Sequence, residues 1–232
     1  AFHSVDQLAT IKACKENPDL HPALANADFD RVGVYCHSMC GMASLRSAQS
    51  PNPEDFGISA AVAVHACRDS CETSAAVHIP IMFTAGTADT ICGDGASKSF
   101  CETVSTAKAG TKILFDVKGA SHFEPTAAGS NSEVPAIALF LSCRLRGEHC
   151  DKVYGASGKE ICNQIAAGEK LGDCRVDGSD TPTPSPSAVP SPPTALQMRK
   201  PIQRHRAPTA QAHLTRGGCA GEERHTCNLL RF

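Results

Sequence analysis

Three short segments carry the residue types of acyl-transfer chemistry. In "RVGVYCHSMCGMAS", residues 31–44, an apolar β-branched run gives way to a polar turn centred on Ser38. A serine hydroxyl is a weak nucleophile at neutral pH. It needs an imidazole to take its proton and a carboxylate to orient that imidazole. Two later segments supply both, in the order serine, acid, histidine: "IPIMFTAGTADTIC" delivers Asp89 and "ILFDVKGASHFEP" delivers His122. Ser38 therefore reads as nucleophile, His122 as general base and Asp89 as its orienting partner.

The turn itself has steric requirements. A strand that ends in small–x–Ser–x–small and leads into a helix lifts the hydroxyl above the sheet. Strand and helix backbones approach closely two residues either side of the serine, where glycine is usual. This chain has Cys36 and Cys40 there, then Gly41. Each cysteine adds a Cβ and a sulfur at a crowded position, so the turn is expected to be looser or shifted. Met39 would open the following helix, and its backbone N–H would face the oxyanion of a tetrahedral intermediate.

Other residues compete for these roles. Asp94 lies close to Asp89, and His37, His65 and His78 are alternatives to His122. His37 adjoins the serine, points away across the turn and reads as pocket lining. His65 and His78 flank strands and read as structural. Asp116 lies inside a strand, a poor place for an acid that must reach a loop histidine.

The elements that must position these groups alternate along the chain. "SVDQLATIKACKEN" spaces Val5, Leu8, Ile11 and Cys14 at helical intervals, and "NPDLHP" ends it. "RVGVY", "ISAAVAVHA", "HIPIMFTAG" and "TKILFDVKG" are short apolar runs suited to strands covered on both faces. "GMASLRSAQ", "GASKSFCETVSTA" and "SEVPAIALFLSCRL" read as helices, with Pro135 in the first turn of the last. Four strands separated by helices predict an α/β fold with a mostly parallel sheet and helices on both faces. Catalytic groups then belong at the C-terminal ends of the strands.

Composition narrows the class. A chain of 232 residues with 41% hydrophobic residues can build one sizeable core. A net charge of −2 favours neither nucleic acid nor an acidic surface, and no apolar run is long enough to span a membrane. Thirteen cysteines without paired zinc spacing predict disulfides and an oxidising, secreted or lumenal compartment. The spacings suit bridges of Cys67 with Cys71 and Cys92 with Cys101, and others among Cys143, Cys150, Cys162 and Cys174. Cys14, Cys36 and Cys40 read as small buried apolar residues. The odd number leaves a thiol free or paired with another chain.

Residues 1–145 are read as the catalytic α/β unit and 146–176 as a Cys-rich extension. Residues 177–195, with "DGSDTPTPSPSAVPSPP", form a Pro/Ser/Thr-rich extended linker, and 196–232 a basic, disordered tail. His205, His213, Cys219, His225 and Cys227 in that tail match no standard metal-finger spacing.

"YCHSMCGMAS", "PIMFTAGTADTI" and "VKGASHFEPT" together resemble the α/β-hydrolase superfamily, in particular its cutinase-like polyester hydrolases and dienelactone-hydrolase-related lipases. The likeness covers roughly residues 1 to 145; the histidine loop is the most specific match and the serine turn the most degraded. It implies the same roles for Ser38, Asp89 and His122, and one oxyanion N–H at Met39. The implied substrate is a small-molecule or polymeric carboxylic ester, handled without metal or organic cofactor by a monomer. The family has about four strands before the serine strand, whereas this chain starts at the helix just ahead of it. The resemblance therefore implies the C-terminal half of a hydrolase: a sheet with one unpaired side, a second oxyanion donor and aromatic clamp supplied from the earlier part, and weak turnover without it. The polyester hydrolases carry a tryptophan where this chain has "HACRDSC", and no tryptophan occurs here. The segment "CDKVYGASGKEIC" resembles no part of the bacterial enzymes and is expected to be a disulfide-stapled cap.

Two further functions compete with a serine esterase. One is a non-catalytic relative that binds without turnover, motivated by Cys36 and Cys40. The other is a hydrolase using Cys36 or Cys40 as nucleophile, which the position of Ser38 at the turn disfavours.

Overall fold

A computed structural model describes residues 2–67, 76–93, 95, 97–99, 104–105, 112–126, 132–166 and 171–177. Within them a five-stranded sheet runs in the order β1-β2-β3-β4-β5. Its strands are β1 (Val32–His37), β2 (Ile58–Val64), β3 (Ile81–Gly86), β4 (Lys112–Val117) and β5 (Leu171–Asp177). The first four are parallel, and β5 is antiparallel to β4. The helices are α1 (Phe2–Glu16), α2 (Met39–Ala48), α3 (Val134–Arg146), α4 (Cys150–Val153) and α5 (Glu160–Ala166).

The parallel strands are apolar at almost every position because both faces are covered. Alternate side chains divide between two cores. Val32, Val34, Ile58, Ala61, Ala63, Ile81, Phe83 and Leu114 face one side, with Ile11 of α1 and Met42 and Leu45 of α2. Val62, Val64, Met82, Ile113, Phe115 and Val117 face the other, with Ile137, Phe140 and Leu141 of α3, Val153 of α4 and Ile161 of α5. This two-sided burial is what β-branched runs without polar alternation require. Gly33 shows how closely α3 sits on β1: a Cβ there would lie 2.9 Å from Leu145 Cδ1.

The sequence expectations hold for the four parallel strands and for α1, α2 and α3. On α1 the apolar stripe is narrower than its spacing implied. Ile11 is buried and Leu8 packs against the core, but Val5 is exposed. The helix predicted over "GASKSFCETVSTA" lies largely outside the described residues, as do the Pro/Ser/Thr-rich linker beyond Asp177 and the basic tail.

The Cys-rich extension departs from the expected cap. It carries α4 and α5 and returns β5 to the edge of the main sheet, where "LGDCRVD" alternates between more and less exposed residues. Disulfides Cys143–Cys150 and Cys162–Cys174 tie α3 to α4 and α5 to β5. The signal for β5 is weak because an edge strand on a half-covered face needs few apolar residues.

The other bridges differ from the local pairings expected. Cys67 is bonded to Cys92, not to Cys71, and Cys92 is therefore not bonded to Cys101; Cys71 and Cys101 lie outside the described residues. Cys36 is bonded to Cys40, so these two are not simple apolar fillers. Cys14 is a free cysteine among the described residues.

Candidate active site

Ser38, Asp89 and His122 each follow the C-terminal end of a parallel strand. β1 ends at His37, and Ser38 follows with a positive φ, 64°, and ψ −130°, before α2 begins at Met39. Such a backbone is costly for a residue with a Cβ and persists only where its surroundings enforce it. Three features enforce it here. The Ser38 N–H donates to the Val64 carbonyl at 2.9 Å, and the Ser38 carbonyl accepts from Gly41 N–H at 2.9 Å. The Cys36–Cys40 disulfide spans the turn itself. The close backbone approach falls one residue later than expected: a Cβ on Gly41 would lie 3.0 Å from the Val64 carbonyl oxygen. Cys40 therefore fits, and its sulfur bonds back to β1.

His122 lies in the loop after β4. Its Nε2 is 2.9 Å from Ser38 Oγ, and its Nδ1 is 2.9 Å from Asp89 Oδ2. Asp89 follows β3 and is 6% exposed, His122 4%. The carboxylate only accepts hydrogen bonds, so the proton on His122 sits at Nδ1, and Nε2 is left to accept from the serine hydroxyl. Asp89 Oδ1 accepts the backbone N–H groups of Ile91 and Cys92, each at 2.9 Å. Burial alone would raise the Asp89 carboxyl; the bonds from His122, Cys92 and Ile91 outweigh it and hold the pKa down at about 2.

Met39 is the first residue of α2, and its N–H is one of the helix's first four, which have no intrahelical acceptor. Its side chain is exposed, as are those of Ile91 and Phe123, which follow Asp89 and His122 closely in sequence. The Phe123 ring meets the His122 ring edge-on at 5.3 Å.

The Cys67–Cys92 disulfide forms part of the wall. Its sulfurs lie 3.5 Å from Ser38 Oγ and 3.8 Å from His122 Nε2. It links the segment after β2 to the Asp89 loop. Because Cys36 and Cys40 are bonded to each other, neither offers a thiolate for the cysteine-nucleophile alternative.

The competing histidines and acids resolve into distinct roles. His37 does more than line a pocket. Its Nε2–H donates to the His122 carbonyl at 2.7 Å, and the two rings lie 4.6 Å apart. Burial, ahead of the nearby histidine rings, pushes the His37 pKa down to about 4, so the ring is a neutral strut for the His122 loop. His78 is exposed, with its backbone N–H on the Ala48 carbonyl. Asp116 is buried in β4 and paired with Lys98 Nζ at 2.9 Å. Asp94 lies outside the described residues.

His65, read from sequence as structural, is in direct contact with the site. Its Nδ1 is 3.0 Å from Asp89 Oδ2, and its Nε2 is 2.6 Å from Glu133 Oε1. The sequence carries no separate signal for Glu133. The one available signal was the position of His65, immediately past a strand's C-terminal end, where this architecture gathers functional groups. His65, Asp89 and His122 also present ligand-type atoms within 4.8 Å of one another. Those atoms already bond to each other through two imidazole N–H groups on Asp89 Oδ2, and a cation would have to displace both.

Among the described residues no helix is long and apolar enough to cross a membrane. No curated protein matches the chain. Residues 3–145, which span the parallel strands, the serine turn and both partner loops, match the family described as PETase, PET hydrolase-like, and the chain belongs to that family.

Proposed function

We propose that this protein is a serine hydrolase that cleaves carboxylic esters through an acyl-enzyme formed on Ser38. One observation carries the reading: a serine held at φ 64°, with its hydroxyl 2.9 Å from an imidazole whose far nitrogen is 2.9 Å from a buried carboxylate.

His122 Nε2 takes the Ser38 proton as Oγ attacks the ester carbonyl carbon. The carbonyl electron pair moves to oxygen, and the Met39 N–H stabilises that oxyanion. Collapse breaks the bond to the alkoxy oxygen, which leaves with the proton from His122. Water then repeats the sequence, releasing the acid and restoring Ser38. Asp89 stays ionised throughout, orients His122 and stabilises its charged form.

The surroundings support a substrate class. Met39 at the start of α2, Ile91 after Asp89 and Phe123 after His122 are exposed apolar side chains. They suit an ester with apolar groups, such as a lipid, a cutin-like polymer or another polyester. The four disulfides among the described residues fit an oxidising compartment and export from the cell. Hydrolysis of p-nitrophenyl butyrate tests the reading. The full chain should turn the ester over, and Ser38→Ala should remove that turnover; equal rates in the two proteins would overturn it.

A further inference from the structure

We propose that His65 and Glu133 form a buried pair sharing one proton that positions Asp89 and, through it, the His122 ring. The proposal rests on the hydrolase reading for its catalytic meaning, and on geometry for the coupling itself.

His65 follows β2 with φ 43°, unusual for a residue with a Cβ. The residue is 1% exposed, and its backbone N–H donates to the Thr84 carbonyl at 3.1 Å. The neighbouring strand makes room for it. A Cβ on Gly86 would lie 2.8 Å from His65 Cε1 and would run into the Ala120 carbonyl. Glu133, fully buried, stands at the N-terminal cap of α3, where the helix dipole favours a carboxylate.

An unpaired ion at such depth would cost several kcal/mol, so the pair stays neutral as a whole. It is either imidazolium with carboxylate, or neutral imidazole with carboxylic acid. Burial pushes His65 down, but the bond and charge of Glu133, then those of Asp89, outweigh it and raise it. Burial raises Glu133 more than His65 lowers it. Both directions favour retaining the shared proton.

Either form leaves the same atom facing Asp89. Asp89 is ionised and can only accept, so His65 Nδ1 carries a hydrogen in both. Asp89 then receives four N–H groups: two backbone amides on Oδ1, and the imidazoles of His65 and His122 on Oδ2. The carboxylate is fixed in orientation, and one of its oxygens is shared between two rings. That sharing holds Oδ2 in one place, and the His122 ring takes its orientation from it. The titratable groups that face His65 are Asp89 from the loop after β3, Glu133 from α3, His122 from the loop after β4, with ring centroids 6.1 Å apart, and His37 from β1, at 6.0 Å. Glu124 lies close enough to Glu133 to raise it further. His65 and Glu133 touch no reacting atom; they are positioning residues.

The test uses the full chain labelled with ¹⁵N-histidine, read by NMR at pH 7.5, beside kcat and KM. His65→Ala and His65→Asn are each made with Glu133→Gln, so that no buried carboxylate loses its counter-charge. Asparagine tolerates a positive φ and can present an N–H near the position of Nδ1. The low-field His122 Nδ1–H resonance should move in the alanine protein and return close to its wild-type position in the asparagine protein, with kcat falling about tenfold in the first and recovering in the second while KM holds. Coincident His122 Nδ1–H resonances in the two variants would overturn the proposal, as would a wild-type spectrum without a hydrogen-bonded Nδ1 proton on residue 65, a measurement that needs no variant to fold. A moved resonance in a protein without Ser38-dependent turnover would retain the coupling and remove the hydrolase reading. Ser38-dependent turnover with coincident resonances would do the reverse.

Discussion

Cys36 and Cys40 are joined by a disulfide that spans Ser38, the first residue two positions before the serine and the second two after it. The bond closes a loop over a turn whose backbone is strained, and it occupies the positions where small residues are needed. For so short a loop, the chain-entropy contribution is about 2 kcal/mol. Replacing both cysteines with alanine should therefore lower the unfolding free energy by about that amount in urea titration. Ser38-dependent ester hydrolysis should persist at reduced thermal stability, because Gly41 still allows α2 to approach β2.

Asp89 is the acceptor for every imidazole N–H aimed at it. Asp89→Asn would put an amide NH2 or a single oxygen before two ring donors, forcing one histidine into the wrong tautomer. A fall in kcat of about 10³- to 10⁴-fold is expected, with circular dichroism unchanged. A loss of less than tenfold would mean that His122 is oriented by something else.

Acid stability should carry a signature of His37. Its folded pKa of about 4 lies below its ordinary 6.5. Above pH 6.5 both folded and unfolded chains hold it neutral, and it contributes no pH dependence. Between about 6.5 and 4 the unfolded chain binds the proton first, so stability falls as pH falls. With allowance for partial exposure the loss is about 1–2 kcal/mol. Asp89, held at about 2, removes a further increment between about pH 4 and 2. His65 has the opposite sign, since a raised histidine stabilises at low pH and loses that contribution as pH rises through its folded value. His37→Gln isolates the His37 part: its urea midpoint should drop less than that of the wild type between pH 7.5 and 4.5.

Gly86 ends β3 between the Ala120 carbonyl and the His65 ring. Gly86→Ala should push on both, displacing the segment that leads into His122. A loss of about 1–3 kcal/mol is expected, together with a larger fall in kcat/KM than in substrate binding. Thermal melts and steady-state kinetics on the same preparation would separate the two effects.

Much of this arrangement was legible in the amino-acid order because local chemistry and topology agreed. "ISAAVAVHA", "HIPIMFTAG" and "TKILFDVKG" each contain the strand they predicted, "RVGVY" holds all but the last two residues of β1, and the positions of Ser38, Asp89 and His122 follow from where strands end. What escaped depended on pairings between distant residues. His65 meets Glu133 across 68 positions, and nothing local in "AVHACR" or "NSEVP" announces it. His37 finds a backbone carbonyl 85 positions away. Cys67 prefers Cys92 over nearer cysteines because the ends of β2 and β3 are neighbours, a fact of topology rather than of spacing. The edge strand β5 lacks a continuous apolar run because, among the described residues, it lies at the sheet's edge with β4 alone beside it.

The proposed chemistry rests on one hydroxyl, which a covalent label reads directly. The full chain is treated with a fluorophosphonate, and the adduct is located by peptide mass mapping at pH 7.5. A single adduct is expected on Ser38, absent from Ser38→Ala and slowed in His122→Ala. An unlabelled Ser38 in folded protein, or an adduct on another residue, would contradict it.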